Sequence, residues 1–565
     1  MTHHRSVLLG ALALIFTFAA TPIRADDGRN SSPNWRTAGK DLSNARNAGG
    51  ESKLGVQTAA QLATQWTYTA NGDVPATPAV EGNFLYFPDA AGYLHKVNRK
   101  TGALVWKFPV SKYTGIAGDY ARATPAIAGN ALILGNQNGK NLEMYGQLPV
   151  PQGAKVFAVD KNTGDKLWVT QVDNTTRSMV TQSAIVANGT AYVGVASNEE
   201  LVAAIVTKAP NPYAPQFGNW KWTFRGNVVA LNVQTGNIKW KSYTVPAGYY
   251  GGSVWGSTGA VDLKRNLLYI TTGDNFAIPD DALACAAAKK SAGQDLLPCM
   301  AADDYFDSIV AMDLDTGKVK WGKRGLDYDN WNVGCGLFVP GFSFPPNDNC
   351  PNPKGPDWDF GQGAILMGDD DDDAIVGAGQ KSGMFWAFKA SNGALAWKTQ
   401  VAPGGLTGGL QWGSAYDGKR IYVASSNAGP ILGSGQDPQP WKLKDGSTTT
   451  SGGWAALDPR TGKVLWTTKD PFGGRAESPV SVVNGVMLGC NIEYNPANPA
   501  LGAGHYVALN AKTGEMLWNS KTTGSCVAGA SIVGSTVYWG NGAGRSAVPN
   551  AVYAFGLPPG TGDDD

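Results

Sequence analysis

Apolar and polar residues alternate along most of the chain in short runs, and one such run recurs with a fixed signature. VNRKTGALVW ends at Trp106, VDKNTGDKLW at Trp168, LNVQTGNIKW at Trp240, MDLDTGKVKW at Trp321, FKASNGALAW at Trp397, LDPRTGKVLW at Trp466 and LNAKTGEMLW at Trp518. Each of these seven copies opens on a β-type run such as VFAV or NVVAL and turns through Asp/Asn-x-x-Thr-Gly or a close variant. It then resumes as alternating residues that end in Trp. Period-two alternation on both sides of a short polar turn predicts a β-hairpin, with the glycine at a positive-φ turn position. The Trp at a fixed offset is expected to pack between neighbouring sheets.

Successive tryptophans lie 62, 72, 81, 76, 69 and 52 residues apart, which suits one four-stranded sheet per repeat with insertions between strands. LATQWTYTA, carrying Trp66, precedes the first copy without a hairpin of its own. STVYWGNG and AVYAFGLP follow the last copy without a closing Trp strand. Joined, the two ends make an eighth sheet that closes a ring and leaves no open edge. The fold class predicted is therefore all-β, an eight-bladed β-propeller over roughly residues 60–558, preceded by a segment over 26–59 and followed by an acidic tail over 559–565.

Composition agrees: 73 Gly, 19 Trp and only 16% charged residues in 565 imply many turns and many buried aromatics. Forty-six basic against 45 acidic residues leave no basic stripe for a phosphate backbone, so nucleic acid is excluded as a partner. Residues 1–25 read as a secretory signal peptide, with Arg5, an apolar stretch from Val7 to Ala20, and Ala25 before Asp26-Asp27. A periplasmic location and no stable membrane span are expected, since no later stretch approaches 18 apolar residues. Six cysteines in an oxidising compartment suggest Cys285–Cys299, Cys335–Cys350 and Cys490–Cys526, among 15 possible connectivities. None forms CxxCH, so no covalent haem is encoded. His3 and His4 fall in the leader, and His95 and His505 sit in repeat strands, which argues against a multi-histidine zinc site.

A propeller alone decides nothing about function, so an enzyme with an axial site and an exported assembly scaffold are both admissible. The discriminator is polar residues that the repeat does not require. Arg122, Thr181, Ser197-Asn198-Glu199-Glu200, Ser253 with Trp255, Asp274-Asn275, Asp327 and Asp329 with Asn332 around Trp331, Lys381, and Trp412 recur near the first strand of successive blades. Innermost strands line the axis. The run Asp369–Asp373 and the tail Asp563–Asp565 read as solvated acidic segments rather than a calcium site, and GAGQKSG lacks the helix a phosphate loop needs.

The repeat unit, with the SNEE, SVWGS, TTGDN and GQKSG segments, resembles the pyrroloquinoline quinone (PQQ) dependent alcohol dehydrogenases. DYDNWNVGC and NCPNPKGPDWDFGQG are similar to the polyvinyl alcohol dehydrogenase branch. That resemblance implies PQQ near the axis and a calcium ion held by Glu200 and the Asp274-Asn275 pair, with Asn332 beside them. It implies Trp255 under the quinone ring, and Arg122, Thr181, Ser197, Asn198, Ser253 and Trp412 around the cofactor, with Lys381 beside its reactive oxygens. The implied reaction oxidises an alcohol, secondary and bulky or polymeric, to a ketone: a carboxylate takes the hydroxyl proton and the calcium-polarised quinone takes the hydride. Electrons then leave to an external cytochrome c. Two departures stand out. The adjacent cysteines of the methanol dehydrogenases are absent, and the Trp-Asp that carries the base there is read as Trp331-Asn332 here. Asp274 is favoured narrowly as base, with Asp329 the alternative.

Overall fold

The computed structural model describes residues 34–50, 53–139, 152–175, 177–206, 220–339, 342–368, 373–427, 439–493, 503–542 and 549–558. The expected signal peptide, the acidic tail and all of the 369–373 run but Asp373 lie outside them. Eight antiparallel sheets of four main strands form the propeller. Blade one runs Ala79–Glu81, Phe84–Pro88, Tyr93–Asn98 and Leu104–Pro109, innermost strand first, and blades two to seven repeat this order. Blade eight takes Ser531–Val533, Thr536–Gly540 and Ala551–Gly556 from the C-terminal end and its outermost strand, Ala63–Thr69, from the N-terminal end. The ring closes by the two-ended blade expected from the repeat.

The repeat has a mechanical meaning. Each hairpin tryptophan donates its indole N–H to a carbonyl in the next blade: Trp106 to Asn162 at 3.1 Å, Trp168 to Val233 at 2.9 Å, Trp240 to Leu314 at 2.9 Å, and so around to Trp518 on Leu62 at 2.8 Å. Trp66 of blade eight completes the circuit on Arg99. The repeat glycine meets two demands at once. Gly236 has φ +72°, and a Cβ there would lie 2.5 Å from the Trp168 ring of the preceding blade. A side chain would therefore both strain the turn and displace the docked indole.

The N-terminal segment does something its sequence does not suggest. Trp35 pairs with Val80 of blade one, and Arg36 accepts from Ile127 N of blade two. Thr37 donates to Ala184 beside blade three. Leu42, Ser43, Ala45 and Arg46 accept in turn from Val261, Leu366, Tyr416 and Val482, which lie on the innermost strands of blades four to seven. Residues 35–48 thus form a collar inside the ring, giving partners to backbone N–H groups that edge strands would leave bare. Left-handed backbone at Lys40, Asn44 and Arg46 lets the collar turn as it passes from blade to blade.

Two insertions rise from blades four and five. Helix Asp280–Ser291 is clasped by Cys285–Cys299, and the long connection after Arg324 is clasped by Cys335–Cys350. Cys490–Cys526 links blade seven to the lead-in of blade eight. All three expected pairs are formed.

Candidate active site

The lead-in segments of the inner strands and the blade-five insertion surround a cavity of about 320 Å³ at one end of the channel. Its size falls within the roughly 300–1,000 Å³ that encloses small-molecule ligands. One side is acidic. Glu200, Asp274, Asp357 and Asp359 line it together with Lys381, and oxygens of Asp274, Asp357 and Asp359 lie within 4.8 Å of one another.

Lys381 Nζ donates to Asp357 Oδ1 at 2.7 Å and to Asp359 Oδ2 at 2.9 Å. Asp359 also accepts from Trp255 Nε1 at 3.1 Å and, through Oδ1, from Asp274 N at 2.7 Å. That last contact crosses Gly273, where a Cβ would lie 2.8 Å from the carboxylate. Asp274 Oδ2 is buried and makes no hydrogen bond among the described residues.

Crowding and burial dominate the electrostatics of this cluster. Burial, reinforced by Asp359 against the opposing pull of Lys381, pushes Glu200 up to about 7. Burial and the neighbouring carboxylates raise Asp274 well above the usual carboxyl range, and burial raises Asp357 likewise. Burial alone would depress the Lys381 ammonium, but Asp357 and Asp359 outweigh it and hold its pKa well above the ordinary lysine value. Four carboxyls against one ammonium, with one oxygen unsatisfied, suit a hard, oxygen-liganded metal ion.

Next to the carboxyl cluster the lining becomes aromatic and cationic. Trp255 and Trp412 meet edge to face, 5.4 Å between centroids, and the Arg122 guanidinium lies 4.9 Å over the Trp412 ring. Lys381 Nζ stands 5.3 Å over Trp255, and Thr181 Oγ1 reaches Trp255 O at 3.5 Å. Ser253 Oγ is buried without a partner among the described residues. Phe276, Trp331, Val333 and Leu406 give part of the lining an apolar character.

The structure brings Arg122, Thr181, Ser197, Glu200, Ser253, Trp255, Asp274, Lys381 and Trp412 to this cavity and leaves four expected residues outside its lining. Asn332 caps a short helical turn, accepting from Gly334 N at 2.8 Å and donating to Phe276 O and Asn349 O; it is spent on the backbone. Asn275 turns its amide to Asp304, and the backbone of Asn198 helps hold the entry to Glu200–Ile205. Asp329 accepts from Trp358 N at 2.8 Å and Asp357 N at 3.2 Å, so it orients the loop that carries Asp357 and Asp359 rather than facing a substrate.

Sequence reading missed Asp357, Asp359, Gln411, Arg475 and Glu477, all in the lining. One signal was present. The Trp-Asp dipeptide sought at 331–332 occurs at Trp358-Asp359, inside the quoted GPDWDFGQG stretch. Glu199 and Glu200 also separate: Glu199 accepts from Thr223 N, Thr223 Oγ1 and Phe224 N, leaving Glu200 for the cavity.

Among known proteins, the PQQ_2 family model, described as "Outer membrane protein assembly factor BamB", matches residues 58–323 and 381–551. The polyvinylalcohol dehydrogenase of Sphingopyxis sp. (strain 113P3) is 28% identical over 531 residues, covering 88% of this chain and 69% of that protein. The polyvinylalcohol dehydrogenase of Pseudomonas sp. is 25% identical over 544 residues, covering 92% and 72%. The crystal structure of the quinohemoprotein alcohol dehydrogenase from Comamonas testosteroni superposes with a TM-score of 0.62 at 18% identity, covering 93% of this chain and 80% of that one, and shares the fold. Since the family model spans well over half of the residues and these relatives extend over most of the propeller, the chain belongs to the PQQ-type propeller family and, within it, to the PQQ-dependent alcohol dehydrogenases.

Proposed function

We propose that this protein oxidises a bulky or polymeric secondary alcohol to a ketone using PQQ and a calcium-like cation, and passes the electrons to an external cytochrome c in the periplasm. The observation that carries the reading is one cavity whose lining joins a cation-seeking carboxyl cluster to Arg122, Thr181 and a Ser253 hydroxyl that has no partner among the described residues. The cofactor is a flat tricarboxylate with an orthoquinone, so these are the two kinds of surface it requires. A scaffold has no use for a buried, undercompensated carboxyl cluster.

When bound, PQQ supplies the quinone that takes up two electrons as a hydride equivalent. Glu200 and Asp274 would hold the cation by charge, with Asp357 close enough to join them. Arg122, Thr181 and Ser253 would orient the cofactor through charge-assisted and ordinary hydrogen bonds. The Trp255 indole provides a flat surface, held in register by its N–H on Asp359. Asp359 is assigned as the acceptor of the hydroxyl proton. It lines the cavity, accepts from Lys381 Nζ, and has its direction fixed by the Asp274 N–H and Trp255 Nε1. Lys381 in turn keeps a proton beside the reacting oxygens. The apolar lining residues Trp331, Val333 and Leu406 exclude water and favour a substrate with hydrocarbon bulk next to its hydroxyl.

Purified protein titrated with PQQ and Ca²⁺ should develop the cofactor's bound absorbance and dye-linked oxidation of secondary alcohols. No PQQ binding at micromolar concentration with the cation present would overturn the reading.

A further inference from the structure

Beneath the cavity lies a second, smaller chamber of about 50 Å³, and Arg122, Thr181 and Trp412 line both. Its other wall includes Arg46 of the collar. This arginine is 1% exposed, and its Nε and Nη1 make no hydrogen bond among the described residues. None of the residues lining the chamber is acidic, and Ser257 Oγ at its wall is likewise without a partner.

Two glycines leave the guanidinium its room. A Cβ on Gly413 would lie 2.9 Å from Nε, and one on Gly529 would lie 2.9 Å from Nη1. Burial lowers the Arg46 pKa only to about 10, so the group remains a cation at neutral pH. A buried cation with unused donors is costly unless an anion completes it. The volume is suited to a group the size of one or two waters, each about 30 Å³ in the liquid. That is room for a carboxylate and far too little for the whole cofactor.

We propose that the chamber is a carboxylate site in which Arg46, opposite Arg122, holds one carboxylate of the bound cofactor, so that the collar contributes a binding residue to the active site. The inference rests on the functional reading above. It also gives the cofactor a direction, since the acidic cluster takes the cation and quinone end and the two arginines take a carboxylate at the other. Arg46 reaches this place because the collar pairs with blade seven at that very residue, Val482 N on Arg46 O at 2.9 Å.

The test uses the full chain free of cofactor, titrated with PQQ at saturating calcium and followed by quenching of tryptophan fluorescence. Arg46→Met should raise the Kd at least about tenfold, and its cofactor-free form should melt no lower than the wild type, because an uncompensated buried charge has been removed. Chloride should compete with PQQ in the wild type and not in the variant.

An unchanged Kd in Arg46→Met overturns the proposal. If chloride at the same time raises the wild-type melting temperature but not the variant's, the occupant is a free inorganic anion. Should Arg46→Met fail to fold, Arg46→Lys decides: a Kd raised at least threefold supports the fork-shaped contact, and an unchanged Kd overturns it. Absence of PQQ binding by the wild type is a different result, and it overturns the functional reading itself.

Discussion

Around the rim of the ring, eight indole N–H groups each find a backbone carbonyl, in most cases one in the following blade; at the axis, Asp274 Oδ2, Ser253 Oγ and two nitrogens of Arg46 find none among the described residues. The rim solves one packing problem eight times and satisfies each of those indole N–H groups internally. The axis solves no repeated problem and leaves polar groups open. Stability and chemistry are thus assigned to different radii of the same blades, and substitutions should separate them.

The largest separation is expected at Asp359. Asp359→Asn keeps the size and most hydrogen bonds but removes the proton acceptor, so kcat should fall at least about a hundredfold, the low end for a general base, while PQQ binding and the melting temperature persist. Near-normal turnover in this variant, with loss in Asp274→Asn, would return the base to Asp274.

Next come the adjacent glutamates, which place rim-like and axis-like behaviour side by side. Glu200→Gln should abolish turnover and weaken calcium binding while the cation-free protein melts no lower, because a neutral amide replaces a buried carboxyl. Glu199→Gln should do the reverse, losing about 1.5–3 kcal/mol through its charge-assisted bonds to Thr223 and Phe224. Equal calcium affinities in the two variants would erase the distinction.

A third test uses pH. In the cation-free protein burial holds Glu200 and Asp329 near 7, above the ordinary carboxyl value of about 4, so the folded state keeps protons that the unfolded chain releases. Stability contributed by these groups is therefore full below about pH 4 and is lost as pH rises toward 7. Calcium favours the ionised form of its ligands, so melting curves with the ion should lose less over that window than curves with a chelator, and ion uptake near pH 6 should release protons. Parallel curves would count against a cation at this cluster.

The smallest effect belongs to the rim. Trp240→Phe removes one indole N–H bond to Leu314 at 2.9 Å and should cost about 1 kcal/mol, read as a lower midpoint in denaturant with kcat unchanged.

What could be read from sequence follows the same division. The hairpin, its Gly and its Trp are periodic, so blade number, the two-ended closing blade and even the cysteine pairs were legible. Arg122, Trp255, Lys381 and Trp412 were visible because they recur at one phase of the blade. Asp357 and Asp359 were not, since a non-repeating insertion carries them and Asp329 sets its path by gripping two backbone N–H groups. Asn332 was misread because a Trp-Asn pair imitates a Trp-Asp pair that occurs later. The collar left no trace in any pattern: residues 35–48 bond mostly through their backbone, which no side-chain periodicity records.

Closure by strands from opposite ends also sets an order of events during biosynthesis. Ala63–Thr69 pairs with Ala551–Gly556, so that strand must wait, edge exposed, until all the other blades of the propeller have been produced. No shortened product can finish the ring. Folding of the last sheet becomes a checkpoint on completeness of the propeller, and an unfinished ring offers the unpaired edge by which quality-control machinery could distinguish it from a finished one.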